Sequence, residues 1–343
     1  MKNFRTLREI TKLAEKKIKP NVLKWIDGSA EYGYTSKRNR EIFRNIGIVP
    51  RVLTENYKID LSKDFFGKSC SIPLIMSPVG GTDQFHKKSE FIFSDVAEKN
   101  EIPYFFPNNS GNTLKEFNPK KNKAFLSRSL YLDDDLSHCR KEMEDAEKNN
   151  CHCISITVDS PVRPFSYNKM DQNYDARKHY AKRPLNYLRK QKGKPLTWKI
   201  ISKIRKLTKK PIILKGILSK DDAVRAYESG IDGIWVSNHG GRILETDLTP
   251  IEVLSEIREA LPKKILIICD GGIRTGTDIL KTISLGADFV GIARPIIFGL
   301  IADSSNGVNQ VIDFLKKEFL SATKLAGVSN YNDIQKLKKI LRF

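Results

Sequence analysis

Apolar residues in this chain gather in short runs. Those at 72–79, 102–107, 124–130, 153–159, 211–217, 233–237, 264–270 and 289–293 are rich in Ile, Leu, Val and Phe. Between most of them lie stretches whose apolar residues recur at helical spacing, as at 221–229, 250–260 and 277–285. Runs that are continuous rather than alternating predict strands buried on both faces, and strand–helix alternation predicts a parallel sheet. Eight such units predict closure into a (β/α)8 barrel of the TIM type, a fold that takes about 250 residues.

The remaining residues suit one domain with two extensions. A helical N-terminal segment is expected at about 1–60, with one or two short helices over 7–25 and a polar stretch after them. The barrel is expected at about 70–305, and C-terminal helices at about 308–343, where two amphipathic stretches occur. The connection 160–196 is long, basic and aperiodic, which predicts an elaborated loop after the fourth strand, over the functional end of the barrel. No composition shift marks a second domain.

Charge and cysteines narrow the setting. Sixty Lys and Arg stand against 40 Asp and Glu, a net charge of +20. That excess favours anionic ligands and admits peripheral contact with an anionic membrane face. The lysines are scattered over many predicted helices and no nucleic-acid motif accompanies them, so a nucleic-acid partner is not expected. The five cysteines form no disulfide framework, and Cys151 and Cys153 lack companions for a metal site; buried thiols in a reducing, cytoplasmic compartment are expected. The charged N-terminus is no signal peptide, and no apolar run is long enough to span a bilayer.

In such barrels chemistry collects at the C-terminal ends of strands. Here those ends read Thr157-Val158-Asp159, Leu214-Lys215-Gly216, Ser237-Asn238-His239-Gly240-Gly241-Arg242, Asp270-Gly271-Gly272-Ile273-Arg274 and Ala293-Arg294-Pro295. Gly271 and Gly272 let backbone amides approach an anion, Arg274 adds a fixed charge, and a helix opens at Thr277. Arg294 follows the next strand, and the loops after strands seven and eight are the usual phosphate site of the fold. Arg242 can hold a carboxylate in bidentate fashion, and a histidine beside it suits proton abstraction from a 2-hydroxy acid. Asp159 would favour the charged imidazole, and Lys215 would place a cation where a reduced flavin ring gathers negative charge.

The runs 237–242 and 270–278 together resemble the signature of FMN-dependent 2-hydroxy-acid oxidases and dehydrogenases. Weaker matches are Asn39, the run 50–53, and residues 73–80, 213–216 and 285–288. The resemblance implies FMN as cofactor, a small anionic substrate, and oxygen or a quinone or protein as electron acceptor. It also implies a homotetramer. By resemblance His239 is the base, Asp159 its partner, Arg242 a substrate clamp and Lys215 a flavin contact. Val79, Gly80, Asn108, Ser127, Thr157, Ser237, Asp270, Gly271, Gly272, Arg274, Ala293 and Arg294 would surround the flavin. Gly80 stands where efficient oxidases of the family often carry Ala and several dehydrogenases carry Gly, which leans towards a poor oxidase.

Departures from the family cluster around the substrate. Trp25 takes the place of a carboxylate-binding tyrosine. A Gln-Leu-Tyr motif of the third strand is matched to Ser127 and Ser129, placing Ser129 against the substrate. A second carboxylate arginine becomes Ser166, with Arg163 or Arg128 as the candidates to replace its charge. Loss of a charged contact weakens binding by roughly 1–3 kcal/mol. The same losses fit an alternative, an FMN-binding isomerase or tailoring enzyme acting on a larger substrate.

Overall fold

In the computed structural model, residues 2–55, 58–116, 126–132, 136–162, 164–167 and 197–342 are described. Eight parallel strands close into a ring: β1 (Leu74–Met76), β2 (Tyr104–Phe106), β3 (Leu126–Tyr131), β4 (Ile154–Thr157), β5 (Ile212–Ile217), β6 (Gly233–Val236), β7 (Leu266–Cys269) and β8 (Phe289–Ile292). They follow chain order around the barrel, and β8 closes it on β1 with Gly291 opposite Ile75. Each lies on one of the eight predicted runs, mostly with the ends trimmed where the chain turns into a loop; the start of the third run, 124–125, is outside the described residues.

Side chains along a strand alternate between faces, so every second residue points into the barrel. The lower interior is apolar: Ile75, Phe105, Cys153, Ile213, Trp235, Ile268 and Phe289 form one buried cluster. A short antiparallel pair, Lys63–Asp64 with Ser69–Cys70, brings Phe65 into it, 5.2 Å from the Phe289 ring. Two residues further along five of these strands stand Ser77, Ser155, Lys215, Ser237 and Asp270. The barrel is therefore greasy at one end and polar at the other.

The outer layer contains α1 (Leu7–Lys17), α2 (Pro20–Ile26), α3 (Tyr34–Glu41), α4 (Ser89–Lys99), α5 (Leu136–Lys148), α6 (Trp198–Arg205), α7 (Lys220–Glu228), α8 (Pro250–Ala260), α9 (Gly276–Ser284), α10 (Arg294–Leu325) and α11 (Tyr331–Gln335). The N-terminal extension holds one helix more than its apolar pattern predicts. The buried face of α3 is polar, made of Thr35, Ser36 and Asn39, so no apolar stripe marks it. Helix α10 breaks at the non-helical Asp303 and Ser304, so its first part follows β8 directly and its second part starts close to the expected 308. The two extensions meet in an antiparallel pair, Ile46–Ile48 with Lys339–Leu341.

Arg128 cannot supply the missing substrate charge. It alternates with Ser127 and Ser129, so it points out of the barrel, where its guanidinium donates to Pro107 O at 2.7 Å and pairs with Glu142 of α5. Arg163 and the basic segment 168–196 lie outside the described residues. Among the described residues, no helix is long and apolar enough to cross a membrane.

Candidate active site

A cavity of about 300 Å³ opens at the polar end of the barrel. Its lining brings together Trp25, Val79, Gly80, Lys215, His239, Arg242, Asp270, Gly271, Gly272, Arg274, Ala293 and Arg294 from all over the sequence. A smaller hollow beside it adds Asn108, Ser129 and Thr157 and shares Gly80, Lys215 and His239.

The tight turn after β6 aims the histidine. His239, Gly240 and Gly241 have φ of +57°, +69° and +75°, three left-handed residues in succession, of which only the histidine bears a Cβ. An L-residue in that region costs roughly 1–2 kcal/mol. The turn is held by Gly241 N–H to Asn238 O at 3.0 Å and by His239 N–H to Ser237 Oγ at 3.1 Å. His239 Nδ1 then lies 3.2 Å from both Asp159 oxygens. Burial works to raise the Asp159 carboxyl, but the charge and hydrogen bond of His239, with Lys215 nearby, hold it below the usual carboxylate range.

Lys215 donates to Ser237 Oγ at 2.7 Å and lies 3.5 Å from Asp270 Oδ2. Ser237 is fully buried and supports Lys215 and the turn from behind; it is absent from the lining of both cavities. Three guanidiniums crowd together along the same cavity. Burial, then Arg242 and Arg274, push Arg294 down to about 9; burial, then Arg40, push Arg274 down to about 10. Arg294 donates to Ile26 O and Gly240 O, each at 3.2 Å. Arg242 is anchored to the end of α2, donating to Gly28 O at 2.7 Å and Ile26 O at 3.0 Å, with its guanidinium 5.7 Å from the Trp25 ring centre.

Two expectations at the third strand need correction. Ser127 does not line either cavity: it is fully buried one layer down, accepting from Cys153 Sγ at 3.2 Å. Two residues later the chain reads Ser129-Leu130-Tyr131, which shares the Leu-Tyr of the Gln-Leu-Tyr triplet. A slip of two keeps the same strand face but shifts the layer. Tyr131 lines both cavities, its ring nearly parallel to His239 with centroids 6.4 Å apart. A tyrosine is thus retained at the site; alternation counted onward from Ser129 points to it. Asn109, Ser77 and Pro78 also line the main cavity; Ser77 and Pro78 lie in the matched run 73–80, and Asn109 carried no sequence signal of its own.

Ser166 is buried and bridges Glu31 of the N-terminal segment, away from both cavities. At Gly80 an added Cβ would stand 2.8 Å from Asn109 Cβ and O, so an alanine there requires the loop after β2 to move.

The family model for FMN-dependent dehydrogenases matches residues 14–340. A peroxisomal (S)-2-hydroxyacid oxidase of Arabidopsis thaliana is 33% identical over 341 residues, covering 95% of this chain and 93% of that protein. An L-lactate dehydrogenase of Alcaligenes faecalis is 31% identical, covering 94% of each. A mandelate oxidase solved with benzoyl-formic acid superposes with a TM-score of 0.90 at 28% identity, covering 99% of both chains. The chain therefore belongs to the FMN-dependent dehydrogenase family and is an FMN-dependent oxidoreductase of the hydroxy-acid oxidase and dehydrogenase type, acting on CH–OH donors.

Proposed function

We propose that this enzyme oxidises the CH–OH carbon of a small 2-hydroxy acid, with His239 as the base and FMN as the electron acceptor. The observation that carries this is the Asp159-supported His239 opening on the same cavity as three arginines.

The lining fits FMN. Arg274 and Arg294, held charged against burial and mutual repulsion, suit a phosphate, with Gly271 and Gly272 beside them. Ser77 Oγ and Asp270 Oδ1 are buried without a hydrogen-bond partner in the protein, on two residues that line the cavity, and the ribityl hydroxyls of FMN would supply those partners. Lys215, Val79 and Gly80 would meet the ring. Bound FMN supplies a two-electron acceptor.

The protein's part is acid–base chemistry and orientation. Asp159 takes the Nδ1 side of His239, which leaves Nε2 as the ring's acceptor towards the cavity, and its negative charge stabilises the imidazolium once the substrate proton has been taken. Arg242, its plane fixed by main-chain carbonyls and itself lining the cavity, would meet the substrate carboxylate. Tyr131 and Trp25 close the sides. Reoxidation by oxygen or by a quinone or protein acceptor, in a cytoplasmic homotetramer, completes this reading. The purified protein should be yellow, and anaerobic addition of (S)-lactate, glycolate or (S)-mandelate should bleach it. Colourless protein that refuses added FMN would sink the proposal. Yellow protein that none of the three bleaches would favour instead the isomerase or tailoring chemistry, which the relatives do not support.

Gly216 offers a sharper test of the His–Asp pair. Its φ is +107°, and an added Cβ would lie 2.5 Å from Asp159 Cβ. Gly216→Ala should displace Asp159 and slow anaerobic bleaching by about 10-fold or more, with FMN content retained. Unchanged bleaching would mean that the position of Asp159 does not matter to the base.

A further inference from the structure

We propose that Asn39, on the N-terminal helix α3, is a positioning residue for the reaction, acting through Asn238 to hold the turn that aims His239. This assignment rests on His239 being the base.

Asn39 Nδ2 donates to Asn238 Oδ1 and Asn238 Nδ2 donates to Asn39 Oδ1, each at 2.9 Å. Both residues are buried, at 1% and 6% exposure, so the pair is shielded from competing water. Asn238 uses the rest of its capacity on the loop itself. Its Oδ1 also accepts from Gly241 N–H at 3.1 Å, and its Nδ2 also donates to Leu248 O at 3.1 Å. The amide of Asn238 thus spans the left-handed run from His239 to Gly241, and Asn39 braces that amide from α3.

The backbone of α3 repeats the arrangement. An added Cβ at Gly241 would lie 2.5 Å from Ser36 N, and one at Gly272 would lie 1.7 Å from Asn39 O. Two loops of the site, after β6 and after β7, therefore rest on one turn of α3. A single helix with a polar buried face supports both, touching the base-bearing loop through the Asn39 side chain and the Ser36 backbone, and the glycine pair through the Asn39 backbone. The side chain and the backbone of Asn39 consequently have separable effects. Removing the side chain takes away one support of the His239 turn and leaves the Gly272 contact in place.

The experiment compares Asn39→Ala and Asn39→Asp with the parent holoenzyme. FMN affinity is titrated by flavin fluorescence, and anaerobic reduction is followed with the 2-hydroxy acid that bleaches the parent fastest. Both variants should keep FMN affinity within about 3-fold while the limiting reduction rate falls about 10- to 100-fold, the range expected of a misplaced reacting group. In Asn39→Asp the carboxylate sets oxygen against Asn238 Oδ1, whereas the protonated carboxyl restores a donor. The rate ratio of that variant to the parent should therefore rise as pH falls, which a loss of packing alone does not produce. Rates within 2-fold of the parent, a ratio flat in pH, or parallel loss of FMN and rate would each overturn the assignment. His239→Ala, run alongside, separates the failures. If it bleaches normally the base itself is misassigned, and if it alone is slow only the role of Asn39 fails.

Discussion

His239→Ala should slow reduction of the bound flavin by about 10²- to 10⁴-fold, the usual worth of a positioned general base. FMN content and affinity should be unchanged. The direction follows from the geometry: of the groups around the cavity, His239 combines an imidazole ring lining the cavity with a carboxylate 3.2 Å from its Nδ1. Lys215 is engaged by Ser237 and Asp270, and the three arginines are cations. Asp159→Asn should follow the same course less steeply, since the amide keeps a partner for Nδ1 but removes the charge that stabilises the imidazolium. Stopped-flow absorbance of the anaerobic holoenzyme checks both. A His239→Ala variant that reduces within a few-fold of the parent would transfer the base role elsewhere, with Tyr131, stacked against the ring, the first place to look.

Much of this site was legible in the residues because its parts sit where chain chemistry is least ambiguous. Strands β4 to β8 are buried on both faces, so their apolar runs announce them, and a histidine or arginine just past such a run has no structural reason to be there. Where polar residues are themselves the buried surface, that logic fails. The inward face of α3 is Thr35, Ser36 and Asn39, which reads as a solvated stretch until the loops it supports are in view. Period two also cannot decide depth. Ser127, Ser129 and Tyr131 share one face of β3, and only the barrel shows that Ser127 lies a layer too low while Tyr131 reaches the cavity. Arg128 fails as a substrate contact for the complementary reason: one residue's offset turns it outward to Glu142.

Arg294→Met should weaken FMN binding by about 10- to 100-fold, as loss of a charge-assisted contact to phosphate implies, yet leave the flavin-free protein at least as heat-stable as its parent. The second half comes from the sign of the charge balance. Burial, with Arg242 and Arg274 close by, pushes Arg294 down to about 9, well below the usual guanidinium range. The unfolded chain therefore holds that proton more tightly than the folded one. Protonated Arg294 opposes folding at every pH below about 9, and the opposition fades as pH climbs from there towards the ordinary guanidinium range. The methionine variant removes the penalty, and Ile26 O and Gly28 O keep Arg242 as a donor. A phosphate reverses the balance by giving the crowded cations an anion to share, so the parent should gain more stability from saturating FMN than the variant does. Thermal melts with and without FMN, beside a fluorescence titration, measure both halves at once. Unchanged FMN affinity would place the phosphate away from Arg294. A flavin-free variant several degrees less stable would mean that the guanidinium's carbonyl bonds outweigh the repulsion among the three arginines.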